Sequence, residues 1–346
     1  MKKILVVLIS IFIIIMSLTS CKKSDKTIIL ITDEAGINDG YYNQLTYDGL
    51  KKAASEFDFN LVVSTPKNSS QYDVVFQDVV DQNPNLIVIS NPDMEATAVA
   101  YAKNNPDLDF VLVESSADLN LDGVQDATNI YSIRFQQSQE GFISGVLAAA
   151  LAVNHVAFIG ANEFNSYIQY ESGFRAGVTT INPSVSVDVI YIKESTASDQ
   201  VQAQVAQMIQ NGVQVIFTIN KNTGIYTAAQ EAGIPVIICD YDYSGQITTG
   251  KKSIAFTTEK KIDQAVFIAV SDYFNGLFKG QIKYFTFADD CFGYKIIEKS
   301  VVTDDAETLI IAWAAELKNR TFTVPDTRAQ YNTFAPPQLT VQDQAE

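Results

Sequence analysis

Two carboxylates stand where apolar, strand-like runs end. Asp33 follows Ile28–Ile31, and Asp240 follows Val236-Ile237-Ile238-Cys239. A carboxylate leaving a buried run can accept hydrogen bonds or do acid–base work. An unpaired charge there is costly, and Lys260 is the candidate partner of Asp240. The two either form a plain inter-strand ion pair or both face a ligand and share a diol. Asp33 opens the stretch 31–44, ITDEAGINDGYYNQ. Gly, Asn and Asp supply turn geometry, but a turn has no need of Tyr41 and Tyr42. Asp39, just before a helical pattern, fits a cap that accepts backbone N–H bonds. Asp33 fits either a turn or a ligand contact. Of the adjacent tyrosines, one can pack while the other faces outward. The chain has one histidine, His155 at the head of a strand pattern, and three cysteines. That inventory argues against a Ser-His-Asp triad and a zinc site. The chemistry expected is recognition without turnover, with no catalytic residue, cofactor or metal.

The amino terminus sets the compartment. Lys2 and Lys3 precede the apolar run Ile4–Met16 and then Leu18-Thr19-Ser20-Cys21. These zones are those of a signal peptide, residues 1–20. Leu-Thr-Ser-Cys resembles the lipobox of bacterial lipoproteins, in which Cys21 is acylated after cleavage. The alternative, an uncleaved anchor, meets a run short of the ~20 residues that span a bilayer. Residues 21–26 then form a lipidated tether. Acyl burial contributes ~0.8 kcal/mol per CH₂, which places the chain on the bacterial cell membrane, facing the periplasm or the exterior. The formal charge is −16, or −18 once the two leader lysines are removed. Such a surface repels nucleic acid and suits a neutral or weakly charged ligand. Export permits a disulfide between Cys239 and Cys291, but sequence alone does not set their distance.

The elements that must position these residues alternate. Strand patterns occupy 27–32, 60–65, 85–90, 109–114, 155–160, 186–193, 213–219, 235–240, 254–258 and 281–287. Helical patterns lie between them, as at 45–57, 138–151, 167–180, 201–210 and 261–274. Runs such as Leu86-Ile87-Val88-Ile89 are apolar without alternation, as strands covered on both faces are. This rhythm predicts an α/β fold of two Rossmann-like lobes with parallel sheets, the type I periplasmic-binding-protein architecture. The expected lobes are 27–130 with 250–285, and 131–249 with 286–325. A polar tail, 326–346, forms a surface strap or stays disordered. Open sheets bind ligands beyond the carboxyl ends of their strands, so two facing lobes would enclose a cleft that closes by hinge motion.

The residues also carry a resemblance. Asp33 to Asp39 followed by Tyr42-Asn43-Gln44 resembles the opening of the basic membrane protein family, lipoproteins such as purine nucleoside receptors that feed ABC transporters. Arg134-Phe135 with Gln139-Glu140-Gly141, Gly173-Phe174-Arg175-Ala176-Gly177, Val215-Ile216-Phe217 with Thr223-Gly224, Val236 to Asp242, and Lys260-Lys261-Ile262-Asp263 follow in family order. The resemblance implies a small-molecule ligand, a nucleoside with a purine base, and an ABC permease as partner. It places Tyr42 where a ring stacks on the base, with Phe217 as the opposing ring. Asp33 and Asn43 fall where polar groups meet the base, and Asp240 and Lys260 where the sugar is held. Three segments depart from the pattern. Ala35 stands for a glycine, Asn220-Lys221-Asn222 for a small-residue stretch, and Ala288 to Gly293 for a glycine-rich one. Glycines let backbone approach a ligand, so side chains there can redirect the pocket. The alternative reading is a receptor for a sugar or another small metabolite on the same scaffold.

Overall fold

The computed structural model describes residues 26–339; the leader, Cys21 and the last residues of the tail lie outside the described residues. The chain divides into two compact units. Unit 1 runs to Ser132 and resumes over Val266–Gln281, and unit 2 is Ile133–Ala265 with the residues from Ile282 onward. Among the described residues no helix is long and apolar enough to cross a membrane.

Unit 1 opens as β1 (Thr27–Ile31), α1 (Tyr42–Phe57), β2 (Asn60–Ser64), α2 (Tyr72–Val80), β3 (Leu86–Ile89), α3 (Glu95–Asn104) and β4 (Asp109–Val113). The chain leaves it along β5 (Ile130–Phe135). Unit 2 continues with α4 (Gln137–Leu151), β6 (His155–Gly160), α5 (Asn165–Ile181), β7 (Ser186–Tyr191), α6 (Ser198–Gln210), β8 (Val215–Thr218), α7 (Thr223–Ala232), β9 (Val236–Ile238) and β10 (Ile254–Lys260). Then come α8 (Ile262–Phe274), β11 (Gln281–Phe285), β12 (Phe292–Ile296), α9 (Asp304–Lys318) and α10 (Arg328–Asn332).

One sheet has the order β11-β5-β4-β3-β1-β2, the other β12-β10-β9-β8-β6-β7. Pairing is parallel from β2 through β1 and β3 to β4, and from β7 through β6, β8 and β9 to β10. β12 joins β10 antiparallel. In each sheet the first strand lies beside the third, so chain order reverses there, at β1/β3 and at β6/β8. Ligands favour the carboxyl ends at such switch points. The non-alternating runs are the central strands. Ile28 to Ile31 and Leu86 to Ile89 have no exposed surface, and each such side chain contributes about 1.5–3 kcal/mol of apolar burial. Phe76, Met94 and Phe110 fill one core of unit 1. Val205, Ile216, Ile225 and Ile254 fill one of unit 2.

The first passage falls at Ser132/Ile133, within β5 and two residues past the expected 130/131 boundary. The other two boundaries differ more from the sequence expectation. The second passage falls at Ala265/Val266, inside α8, rather than near 249. Residues 254–260 pair with β9 and β12, which keeps them in the second sheet. The third falls at Gln281/Ile282, inside β11. β12, which the strand reading missed, begins at the end of the segment where glycines were expected. The tail is a strap as far as it is described. Asp326 accepts from Ser138 Oγ at 2.6 Å, and Thr327 and Gln330 form a capping box at the start of α10.

Helices α4 and α5 meet backbone to backbone. Glycines 141 and 145 face glycines 173 and 177, at one-turn spacing on both helices. A Cβ at Gly173 would lie 1.9 Å from Ser138 O, and one at Gly145 2.1 Å from Phe174 O. Glycine in a helix interior costs about 1 kcal/mol relative to alanine, so these positions are held by contact, not propensity. Gly173→Ala should therefore destabilise the protein despite its better helix propensity. The expected loss is about 1–3 kcal/mol from overpacking, read as a lower urea midpoint. An equal or higher midpoint would show that the helices can part freely.

Candidate functional site

Each unit gathers polar side chains at the carboxyl ends of its strands. In unit 1, β1 leads into Asp33. Its Oδ1 accepts from Ala35 N–H at 2.9 Å and Asn43 Nδ2 at 2.7 Å, and its Oδ2 from Asn91 Nδ2 at 2.5 Å. Asn43 Oδ1 accepts from the Asp33 N–H at 3.3 Å and from Ser90 Oγ. Asn43 has no exposed surface. Its amide is used in fixing Asp33, so it positions that carboxylate. Ser90 and Asn91 follow β3, across the switch point from β1.

Asp39 is a cap. Its carboxylate accepts from the N–H groups of Tyr41, Asn43 and Gln44 at 3.0–3.1 Å, holding the first turn of α1. Tyr41 is buried and Tyr42 partly exposed, their ring centroids 4.2 Å apart. Of the two, Tyr42 is the ring that reaches the surface.

In unit 2 the strand ends carry a connected quartet. Asp240 Oδ1 lies 3.0 Å from Lys260 Nζ, and it also accepts from Tyr170 O–H. Tyr170 Oη is 3.1 Å from Glu140 Oε2, and Glu140 Oε1 accepts from the Asp240 N–H at 3.3 Å. The ion pair joins residues on adjacent parallel strand ends. Side-chain exposure is 3% for Lys260 and 29% for Asp240, so the carboxylate is the member that meets solvent. Burial, then the Asp240 charge, pushes the Glu140 carboxyl up to about 8. Burial and the same two acids raise the Tyr170 phenol well above its ordinary range. The Tyr170 O–H thus stands between the two acids, and burial biases the Glu140 carboxyl toward its protonated form.

Backbone geometry marks the same ends. Asp240 has φ +70° and Glu114, directly after β4, has φ +58°. Left-handed backbone costs a residue with a side chain on the order of 1–3 kcal/mol and gathers at functional sites. β4 and β9 are the fourth strands of their units in chain order, so the two acids are topological counterparts.

The structure thus groups Asp33 with Asn43 in unit 1, and Asp240 with Lys260 in unit 2. The expected ring at Phe217 is not at a surface. It is 0% exposed, with Phe174 at 5.3 Å, Phe158 at 5.6 Å and Tyr170 at 6.3 Å between centroids. Phe217 backs Tyr170 from within the core and offers no face to a ligand. Cys21 lies outside the described residues, and Cys239 and Cys291 are buried free thiols. Ser90, Asn91, Glu114 and Tyr170 escaped the sequence reading, and Glu140, within Gln139-Glu140-Gly141, was read as a helix or hinge residue rather than a contact. Glu140 had a signal, a carboxylate in an otherwise apolar helix. The departing loop 220–222 is built into the fold. Asn220 is buried and donates to Ile192 O, and Asn222 accepts from Gly224 N–H at 3.0 Å to cap α7. Among the described residues no three His, Cys, Asp or Glu side chains are grouped to hold a metal.

Comparison with known proteins bears on this arrangement. The CD4+ T-cell-stimulating antigen of Listeria monocytogenes is 27% identical over 208 residues, 58% of this chain and 56% of that protein. The ABC transporter nucleoside-binding protein BmpA of Lactococcus lactis is 26% identical over 217 residues, 60% of this chain and 59% of that one. The alignments thus span less than two thirds of these relatives. Basic membrane protein A of Borreliella burgdorferi is 21% identical over 302 residues, 86% of this chain and 87% of its own. Among solved structures, an ABC transporter solute-binding protein from Conexibacter woesei has a TM-score of 0.68 at 18% identity, covering 87% of this chain and 99% of that one. One from Aeropyrum pernix K1 has 0.63 at 17%, covering 89% and 96%. These likenesses show the fold, that of type I periplasmic binding proteins. A family model, ABC transporter substrate-binding protein PnrA-like, matches residues 26–328, and the chain belongs to that family.

Proposed function

We propose that this chain is a membrane-tethered receptor that captures a nucleoside, with a purine base, and delivers it to an ABC permease. The lipid on Cys21 holds it at the membrane, and no bond of the ligand is made or broken. Asp33, fixed by Asn43 and Asn91, takes polar groups of the base, and Tyr42 takes its face. Asp240, with Lys260 behind it, takes the vicinal hydroxyls of the ribose.

The observation that carries this reading is one partly exposed carboxylate, Asp240, held at a strand end by the buried Lys260 and Tyr170. A lone carboxylate oriented by buried partners is an acceptor pair for two hydroxyl donors. The name of the Lactococcus lactis relative, a nucleoside-binding protein, agrees with it. A free sugar would engage the hydroxyl acceptor equally well but would leave the aromatic side without a use.

Two outcomes are expected. Asp240→Asn keeps the shape and removes the charge. Charge-assisted hydrogen bonds contribute about 1.5–3 kcal/mol, so nucleoside affinity should fall at least tenfold by calorimetry. Tyr42→Ala should cost about 1–3 kcal/mol of stacking. Affinities unchanged in both variants would refute the assignment. The second outcome concerns Glu140, whose folded value of about 8 lies above the ordinary 4.5. Folded protein therefore keeps a proton that the unfolded chain releases across that interval. The stabilisation is complete below the ordinary value and is lost as pH rises through about 8. Glu140→Gln should lack this slope. Its stability should gain on the parent from pH 5 to 8, by on the order of 1.4 kcal/mol per pH unit at most. Parallel profiles in scanning calorimetry would show Glu140 to be ionised throughout.

A further inference from the structure

We infer that Phe164 and Tyr167 form a stacking face for the ligand on unit 2, supplying the ring contact that Phe217 cannot. The inference rests on the nucleoside reading and names the residues that would make the site select a flat base over a bare sugar. The loop after β6 runs through Ala161 to Glu163 and brings Phe164 to the start of α5. β6 is the first strand of its sheet and borders the switch point, as β1 does in unit 1, where Tyr41 and Tyr42 open α1. The two units thus place aromatic residues at the same topological position.

Three further observations belong to this loop. Phe164 is 63% exposed, so burial in a core does not explain its ring. Its centroid is 6.0 Å from that of Tyr167, with 33° between the planes, so the two rings make one continuous aromatic patch. The patch borders the quartet, because Tyr167 lies one helical turn before Tyr170 on α5. Burial, then Glu194 and Asp240, raise its phenol, and Lys260 opposes them. The loop is also held in place. Arg328 Nη2 lies 2.9 Å from Glu163, beside Phe164, while Arg328 also grips the buried Glu171 carboxylate at 2.6–3.0 Å. One arginine of the C-terminal strap therefore ties the loop to α5 and presents the rings beside the hydroxyl acceptor. Preorganised aromatic faces bind bases without a further ordering cost.

The test uses the full mature chain and calorimetric titration with adenosine, guanosine, cytidine and free D-ribose. Phe164→Ala and Tyr167→Ala should each weaken nucleoside binding about tenfold, and Tyr167→Phe should keep it, since the ring and not the hydroxyl acts. The exposed position of Phe164 means that the ligand-free melting midpoint of its alanine variant should not move. Nucleoside affinities within about twofold of the parent in both alanine variants would overturn the inference. If Asp240→Asn abolished binding alongside that result, the nucleoside reading would stand and the exposed ring would be left for docking to a protein partner. A parent that bound D-ribose and no nucleoside would overturn both.

Discussion

The close crossing of α4 and α5 is the constraint on which unit 2 depends. Four glycines let the helix backbones touch, and the contact sets where neighbouring side chains fall. Glu140 precedes Gly141, and Tyr170 is the residue whose carbonyl a Cβ at Gly141 would strike, at 2.3 Å. The acid and the phenol meet because nothing larger than hydrogen separates their helices. Spreading the helices would break the Glu140–Tyr170 hydrogen bond and leave a buried carboxyl without its partner. The strap reinforces this arrangement from outside, since Asp326 holds the start of α4 and Arg328 holds α5.

Burial of this quartet is better explained by recognition than by stability. A buried ion pair with good geometry is often no more stabilising than apolar side chains of equal volume. Lys260 and Glu140 are nonetheless enclosed, and a left-handed backbone at Asp240 adds further cost. What the arrangement supplies is direction. Tyr170 and Lys260 fix one carboxylate at a strand end, and Glu140 holds the N–H of the same residue. Unit 1 uses the same device with other residues, since Asn43, Asn91 and a backbone N–H fix Asp33. In both units the expensive groups lie behind the acid and the acid faces solvent.

Much of this was legible in the sequence, and the failures have physical causes. Continuous apolar runs identified the central strands, because both faces of those strands are covered. Asp39 read as a cap because capping is local chemistry. Asp33, Asp240 and Lys260 stood out because charges rarely end buried strands without a reason. Phe217 was misplaced by the same feature that made β8 easy to find. In a strand apolar on both faces, composition cannot say which side a ring takes. Ile216 faces the α6 and α7 side, and Phe217 faces Phe158 and Phe174. The boundary near 250 failed because strand pairing decides membership of a unit, and pairing with β9 is not visible in the composition of residues 254–260. Glu140 and Tyr170 lie 100 and 70 positions from Asp240 along the chain, so their convergence belongs to helix packing alone.

Selectivity follows from how the two kinds of contact divide the work. The proposed hydroxyl acceptor, Asp240, would accept hydrogen bonds from many polyols. An aromatic face gains nothing from a hydroxyl and discriminates through ring area and polarisability. A chain with a formal charge of −16 already disfavours anionic solutes at long range, so phosphorylated relatives of a nucleoside meet repulsion before contact. On the proposed nucleoside reading, the choice of a base-bearing ligand over a bare sugar would rest on rings at the surface. Tyr42 in unit 1 and the Phe164–Tyr167 patch in unit 2 have that exposure and stand at strand ends that ligands favour, whereas the Phe217 ring, enclosed on every side, cannot contribute.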